Sequence, residues 1–219
     1  MMKIDSEMFS QLSPGKINFN IGCTIDDWRY MQDIAALRLY LYGPIGSIGD
    51  AVCSECSSEE LIENITYYNR MDQGIEPSER KPIKLYINSP GGDVNEGFAI
   101  VSDIELSKTP VFTINIGQWS SMAFLIGIAG HKRFALPYSM FLMHDGSQIA
   151  LGSTNKVQDQ MDFTKRFERE VVKNHILKYS NMKSADYDAL ARVELYMLPK
   201  DALEHEFIDE ILTDLDAIL

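Results

Sequence analysis

Between Lys84 and Met143 the sequence switches repeatedly between short strand patterns and helical patterns, and this succession constrains the fold more than any other feature. The apolar spacing predicts strands and helices in alternation over residues 84–88, 95–107, 111–116, 122–129 and 139–143. A strand, a helix and a further strand in this order form right-handed crossover units, which build a parallel sheet covered by helices. We therefore expect an α/β fold with a mostly parallel sheet.

Three loops should leave this sheet at the carboxyl ends of its strands, where reactive groups gather in parallel sheets. They span residues 89–92, 117–121 and 144–147. In the second loop the strand alternation stops at Gly117, and two adjacent serines precede the helical pattern. The N–H groups of the helix's first turn could hold an oxyanion beside an attacking hydroxyl group. The same serines could instead merely cap the helix.

The remaining sequence is predicted to complete a single domain, residues 1–219. Patterns along the chain predict a mobile arm at 1–15, strands at 16–21 and 37–42, and a helix at 61–71 with Leu61, Ile65 and Tyr68 on one face. A long helix should run from 154 to about 180, and its two apolar rows fit either subunit association or core packing. A last helix is expected to start near Leu198 and to lead into Phe207–Leu212.

The charge balance and hydropathy exclude several classes of partner. Asp and Glu outnumber Lys and Arg by 32 to 20, and the net charge of −12 argues against nucleic acid and anionic membranes. The N-terminus lacks the apolar core of a secretory signal, and no apolar run reaches the roughly 18 residues of a membrane helix. A soluble cytoplasmic protein is therefore expected.

Three cysteines, Cys23, Cys53 and Cys56, fit a reducing compartment in which thiols stay free. Cys53 and Cys56 have the spacing of a zinc-binding pair, but a structural zinc site needs four ligands and no second pair follows. Cys23 and a distant histidine could complete such a site. A surface loop with incidental cysteines is the preferred interpretation, and no metal is predicted.

A serine nucleophile would need a histidine base, and the chain contains four histidines. His144 alone follows an apolar strand pattern, which places it at a strand's carboxyl end near the serine loop. His131, His175 and His205 are interpreted as solvated or incidental. His144 is therefore the best candidate for the base, although a histidine at a strand end can also be structural.

Three segments in order carry a resemblance to a known family. They are Ile87–Gly92 (INSPGG), Gly117–Met122 (GQWSSM), and Leu136–Ser139 (LPYS) leading to Met143 and His144. They resemble the ClpP serine peptidases, the proteolytic subunits of the Clp protease, over roughly residues 37–212. This resemblance implies a ClpP/crotonase-like fold of repeated ββα units with a mostly parallel sheet and a projecting long helix.

The resemblance also implies roles for individual residues. Matching the motifs puts the nucleophile on Ser121, while Ser120 replaces a family alanine. His144 matches the general base. The backbone N–H groups of Gly92 and Met122 match the two donors of the oxyanion hole. Glycine permits close approach of the backbone to a substrate, and an N–H in the first turn of a helix lies at the positive end of the helix dipole.

The sequence departs from the family pattern at several positions. The catalytic aspartate position is occupied by Glu194, which is one methylene longer, and Asp145 or no acid at all remain alternatives. Trp119 replaces a small residue and is expected to crowd the substrate side of the turn. After the histidine the family has a loop with two adjacent glycines that is expected to contact substrate and the opposite ring. The corresponding segment here, 145–152, keeps only isolated glycines.

The predicted function is that of a serine endopeptidase that cleaves unfolded or delivered polypeptides without a cofactor. The resemblance implies a homo-oligomeric ring, a heptamer or double heptamer, with a Clp-type ATPase unfoldase as a possible partner. One alternative is a catalytically weak or inactive structural subunit of such a ring. A second is a crotonase-like acyl-CoA enzyme, which would share the sheet and the oxyanion hole but use acids in place of the serine.

Overall fold

The computed structural model describes residues 35–46, 58–146, 150–190 and 193–218. The chain divides into two compact units, Met1–Arg38 and Leu39–Leu219, and nearly all described residues belong to the second. The predicted N-terminal arm, the strand at 16–21 and all three cysteines lie outside the described residues. The single-domain organisation stays a prediction.

The helices and strands of the described residues alternate along most of the chain. The first half contains β1 (Arg38–Tyr42), α1 (Ser58–Met71), β2 (Ile83–Ser89), α2 (Val94–Leu106), β3 (Val111–Ser120), α3 (Met122–Ile128), β4 (Lys132–Ala135) and β5 (Met140–Met143). The second half contains α4 (Thr154–Phe167), a π-helical turn (Glu168–Val172), α5 (Lys173–Lys178), α6 (Ser184–Leu190), β6 (Leu195–Met197), α7 (Pro199–Glu204) and β7 (Glu210–Ile211). Short 3₁₀ turns lie at Pro77–Glu79 and Asp216–Ile218.

The strands form one sheet in the order β1-β2-β3-β4-β7, and β5 pairs with both β3 and β6. The pairs β2–β3, β3–β4, β3–β5 and β4–β7 are parallel, and β5–β6 is antiparallel. The predicted α/β fold with a mostly parallel sheet is confirmed. The carboxyl ends of β3 and β5 lie side by side because Ser120 is in register with Leu142.

The core explains why these segments fold as they do. In β2 the alternate residues Ile83, Leu85 and Ile87 are fully buried, as expected for a strand packed on its apolar face. Every residue of α3 is buried, so this short helix lies inside the molecule rather than on its surface. The buried face of α1 includes the three residues that the sequence placed there, Leu61, Ile65 and Tyr68.

The strand before the serines is longer than the sequence predicted. The pattern was expected to break at Gly117, but β3 continues to Ser120. The register with β2 shifts between Ile87 and Ser89, and along the other edge β3 pairs with β4 up to Asn115 and with β5 from Gln118 onward. Asn88 fills the irregularity, since its side-chain oxygen accepts a hydrogen bond of 3.2 Å from the N–H of Gln118. The glycine is a point where β3 changes neighbours, not the end of the strand.

The prediction of a terminal helix leading into Phe207–Leu212 is wrong. Helix α7 ends at Glu204, and Glu206 has a φ of 61°, a left-handed conformation that stops a helix. Residues 210–211 then form β7, which pairs with the edge of β4. The side chain of Asp209 fixes this arrangement through a salt bridge of 2.6 Å to Arg133.

The long helical stretch runs through α4, the π-helical turn and α5. No residue of α4 is buried, and Phe163 is 64% exposed, whereas His175 and Ile176 of α5 are buried. The α5 end therefore packs on the core, while α4 presents apolar side chains outward. Among the described residues, no helix is both long enough and apolar enough to cross a membrane.

Candidate active site

Ser121 occupies a tight turn between β3 and α3. Its φ and ψ angles are 56° and −124°, and a positive φ is strained for a residue with a side chain. The turn is secured by a hydrogen bond of 2.9 Å from the Ser121 N–H to the carbonyl oxygen of Leu142 in β5. The Ser121 side chain makes no capping hydrogen bond to α3, so helix capping does not explain this serine.

The neighbouring Ser120 has a different environment. It is 5% exposed, and its hydroxyl group donates a long hydrogen bond of 3.4 Å to the side chain of Gln118. Ser121, in contrast, is half-buried and lines a cavity. The two serines that the local pattern left equivalent are thus distinguished by burial.

Trp119 does not crowd the substrate side, and that expectation is wrong. Its side chain is fully buried, and a Cβ on Gly127 of α3 would lie 2.4 Å from the indole. The ring of Phe141 contacts it edge-on, at 5.4 Å between centroids. The indole therefore supports α3 from within the core. Its N–H group has no hydrogen-bond partner in the described part of the molecule.

A glycine pair lies between the serine turn and the residues after β1. A Cβ on Gly91, whose φ is 94°, would lie 2.7 Å from the Cβ of Ser121 and 2.9 Å from the backbone nitrogen of Met122. A Cβ on Gly92 would lie 2.2 Å from the carbonyl oxygen of Ile45. Close approach was predicted for Gly92 alone, although two consecutive glycines after a proline were a usable signal for Gly91 as well.

The backbone N–H groups of this segment have distinct partners. The Gly91 N–H donates to the Ser89 hydroxyl at 3.1 Å, and the Asp93 N–H donates to the Ile45 carbonyl at 2.9 Å. Within the described ranges the Gly92 N–H has no hydrogen-bond partner. The Met122 N–H lies in the first turn of α3, where N–H groups have no partner within the helix. These are the two N–H groups expected to form the oxyanion hole.

His144 follows β5 and lines the same cavity as Ser121. The cavity has a volume of about 70 Å³. The His144 Nδ1 atom accepts a hydrogen bond of 3.2 Å from the N–H of Gly146. A neutral imidazole that accepts at Nδ1 carries its proton on Nε2, whereas a base that is oriented by an acid through Nδ1 needs the opposite tautomer. The observed imidazole must therefore change its partner before it can serve in a triad.

Glu194 is exposed and does not line the cavity. It precedes β6, and the antiparallel pairing of Met143 with Leu195 makes it an approximate cross-strand neighbour of His144. Its carboxylate, however, accepts a hydrogen bond of 2.9 Å from the Tyr196 hydroxyl, and this bond raises the pKa of Tyr196. The structure thus brings Ser121 and His144 to one cavity and leaves Glu194 outside it. The alternative acid, Asp145, lines the cavity and is exposed.

His131 and His175 serve the scaffold. The exposed His131 accepts a hydrogen bond of 3.1 Å at Nδ1 from the N–H of Val111. His175 was expected to be solvated or incidental, but it is 7% exposed and its Nε2 atom lies 2.8 Å from the carbonyl oxygen of Leu125. Among the described residues no cluster of three or more His, Cys, Asp and Glu side chains could hold a metal ion.

Comparison with known proteins identifies the family. The profile of the Clp protease family matches residues 54–214. The ATP-dependent Clp protease proteolytic subunit 3 of Streptomyces coelicolor is 34% identical over 142 residues, which are 62% of this chain and 63% of that protein. The subunit 2 of Thermobifida fusca is 33% identical over 139 residues, 61% of this chain and 66% of that protein.

A third relative aligns over a longer stretch. The ATP-dependent Clp protease proteolytic subunit 1 of Protochlamydia amoebophila is 29% identical over 175 residues, which are 78% of this chain and 81% of that protein. For the relatives from Thermobifida fusca and Streptomyces coelicolor the match covers slightly less than two thirds of the relative's length. The family profile covers well over half of this sequence. The chain therefore belongs to the Clp protease family.

Proposed function

We propose that this chain is a serine peptidase that cleaves polypeptides, with Ser121 as the nucleophile and His144 as the base. The observation that carries the proposal is the strained turn at Ser121, which opens into the cavity that His144 also lines. A positive φ at a serine between a strand and a helix is costly, and such strain persists where the position of the side chain matters. Family membership supplies the reaction class.

In the proposed reaction the Ser121 hydroxyl attacks the carbonyl carbon of a peptide bond, and His144 accepts its proton. The N–H groups of Gly92 and Met122 stabilise the resulting oxyanion, and each such donor typically contributes about 10²- to 10³-fold in rate. His144 then gives the proton to the leaving amine. Water releases the acyl group from Ser121 by the same steps. Glu194 is the proposed third member that orients the imidazole.

The proposal extends to assembly. The relatives are named ATP-dependent proteolytic subunits, which supports an assembly of subunits that works with an ATPase. The motif resemblance implies the finer proposal, a homo-oligomeric ring of seven or fourteen copies that receives polypeptides from a Clp-type ATPase. Helix α4 has no buried residue and exposes Phe163, and it is therefore a candidate for subunit contact. The acyl-CoA alternative is not carried further, because the matched family is Clp protease.

A second candidate function is that of a catalytically weak structural ring subunit. The specific observation in its favour is the state of the acid and base. The Glu194 carboxylate accepts a hydrogen bond from Tyr196, and the Nδ1 atom of His144 accepts one from Gly146. The acid and the base are therefore not hydrogen-bonded to each other as a working pair. This candidate keeps the ring but predicts little or no hydrolysis.

Reaction with a fluorophosphonate probe tests the proposal. Purified protein, with its assembly state measured by light scattering, should be labelled at Ser121, and Ser121→Ala should not be labelled. Ser120→Ala is the matched control, because the neighbouring hydroxyl is buried and points to Gln118. Hydrolysis of a fluorogenic peptide should disappear with the same variant. Assembled protein that is neither labelled nor active would favour the structural subunit instead.

A further inference from the structure

The cavity beside Ser121 combines an apolar lining with negative charge. Most of its lining residues are apolar, and they include Met122, Leu125, Val172 and Ile176. The other side chains that line it include two carboxylates, Asp145 and Glu168, and no Lys or Arg. A peptide that reaches Ser121 would place the side chain next to the cleaved bond against this surface.

Of these two carboxylates, Glu168 is the one that is held in a fixed position. It belongs to the π-helical turn after α4 and is half-buried, whereas Asp145 is exposed. One Glu168 oxygen accepts a hydrogen bond from the hydroxyl group of Tyr187. Tyr187 is only 4% exposed, and burial together with the Glu168 carboxylate raises its pKa. A donor that stays protonated therefore holds the carboxylate in place.

Glu168 has no cationic partner in the described part of the chain. The nearby basic side chains are engaged elsewhere, since Arg166 and Arg169 pair with Glu170, and Lys173 pairs with Asp188. A half-buried carboxylate without a cation is costly, and its cost falls when a ligand supplies the opposite charge. The missing charge could come from a substrate.

We propose that Glu168 is a specificity-determining residue that selects a lysine or arginine side chain at the residue preceding the cleaved bond. This inference rests on the proposed function, because it needs a polypeptide bound at Ser121. The aliphatic part of a Lys or Arg side chain would pack on the apolar lining. Its charged end would bind the Glu168 carboxylate, which Tyr187 holds in place. Hydrogen bonds to charged groups predict a preference of roughly tenfold to a hundredfold over an uncharged side chain of the same length.

Binding to the inactive Ser121→Ala protein tests this selection without relying on hydrolysis. Two dye-labelled peptides that differ only in lysine or norleucine at the residue before the intended cleavage site are compared by fluorescence anisotropy. Norleucine keeps the four side-chain carbons of lysine and lacks the charge. The lysine peptide should bind roughly tenfold to a hundredfold more tightly. Adding Glu168→Gln, whose amide oxygen can still accept from Tyr187, should bring the two affinities together.

The matched control is Asp162→Asn, which removes an exposed carboxylate from the preceding helix α4 and frees no cation, because Asp162 accepts its hydrogen bond from the Gln158 amide. It should leave the ratio of the two affinities unchanged. Equal affinities for both peptides in the Glu168-containing protein would overturn the inference, as would equal effects of the two substitutions. Failure of fluorophosphonate labelling at Ser121 would instead count against the proposed function, since the binding measurement does not need a reactive serine.

Discussion

The segments that carry Ser121 and Glu194 are held in very different ways. The Ser121 turn lies between β3 and the fully buried helix α3 and contacts Gly91. Its N–H group donates a hydrogen bond to the carbonyl oxygen of Leu142. Glu194 is exposed, and its carboxylate is hydrogen-bonded to the Tyr196 hydroxyl two residues further on. The proposed nucleophile is thus positioned by the core, and the proposed acid by a local contact at the surface.

This contrast has a chemical consequence. Electrostatic stabilisation of an oxyanion depends on donors that are in position before the reaction begins, and the proposed donors belong to the well-packed side of the site. The acid acts only through the orientation and charge of the imidazole. A site built in this way should depend strongly on the packing around Ser121 and weakly on Glu194.

Gly91→Ala should have the largest effect. The added Cβ would lie 2.7 Å from the Ser121 Cβ and 2.9 Å from the Met122 nitrogen, and the φ of 94° would also be strained. The turn must shift by several tenths of an ångström, and misplacements of this order cost roughly 10²-fold in rate. The measurement is the rate of fluorophosphonate labelling of Ser121, together with the melting temperature.

Gly74→Ala provides the control for backbone strain. Gly74 has a φ of 90°, but a Cβ there would meet no atom within 4 Å. It should lower stability slightly and leave the labelling rate unchanged. If the two alanine variants label at the same rate, the packing of Gly91 against the turn is irrelevant, and the contrast between the two ends of the site fails.

The sequence was sufficient for the frame of this site but not for its packing. The alternation between strands and helices fixed the order of β2, α2, β3 and α3, because long apolar patterns carry a clear period. The short strands β4, β6 and β7, of four, three and two residues, were missed since such segments are too short for a period. Only tertiary pairing makes them strands.

Side-chain direction was equally inaccessible from sequence. Trp119 looked like an obstacle to substrate, but the continuation of β3 to Ser120 turns its indole under α3, against Gly127. The same continuation depends on pairing with β5, a contact distant in sequence. The motif register selected Ser121 over Ser120, yet no local pattern could have placed the Glu194 carboxylate on Tyr196.

Glu194→Gln should have an intermediate effect. If Glu194 orients His144 only after leaving Tyr196, its removal should lower kcat/KM for a fluorogenic peptide by about tenfold, far less than the roughly 10⁴-fold loss known for a firmly held triad acid. The labelling rate should fall by a similar factor. A loss near 10⁴-fold would mean that the acid is held as firmly as the serine during catalysis.

Tyr196→Phe is the companion variant. It removes the hydroxyl group that binds Glu194 and leaves the ring in place. Releasing the carboxylate should raise kcat/KM a few-fold, on the scale of one hydrogen bond. The double variant Glu194→Gln with Tyr196→Phe should show no such gain. Unchanged activity in all three proteins would remove Glu194 from the proposed triad while leaving Ser121 and His144.

The smallest effect concerns stability, and it involves the serine side of the site through His175. Burial lowers the pKa of His175, and its Nε2–H donates to the Leu125 carbonyl oxygen of α3. Above pH 6.5 the imidazole is neutral in both folded and unfolded chains. Below it the unfolded chain binds a proton that the folded chain resists, so the free energy of unfolding should fall by up to about 1.4 kcal/mol per pH unit.

Urea unfolding at pH 7.5 and at pH 5.5 measures this loss, and His175→Gln should reduce the difference between the two values. Glu105, which faces the imidazole together with Lys178, has a lowered pKa: burial acts to raise it, but hydrogen bonds from Lys178 and Tyr179 outweigh burial. Its own contribution is therefore lost only below about pH 4.5, outside this window. His205, for which the described part of the molecule shows no side-chain hydrogen bond, supplies the matched variant, His205→Gln, which should keep the full difference. If both variants keep the full difference in unfolding free energy between the two pH values, protonation of His175 does not weaken the packing beneath Ser121.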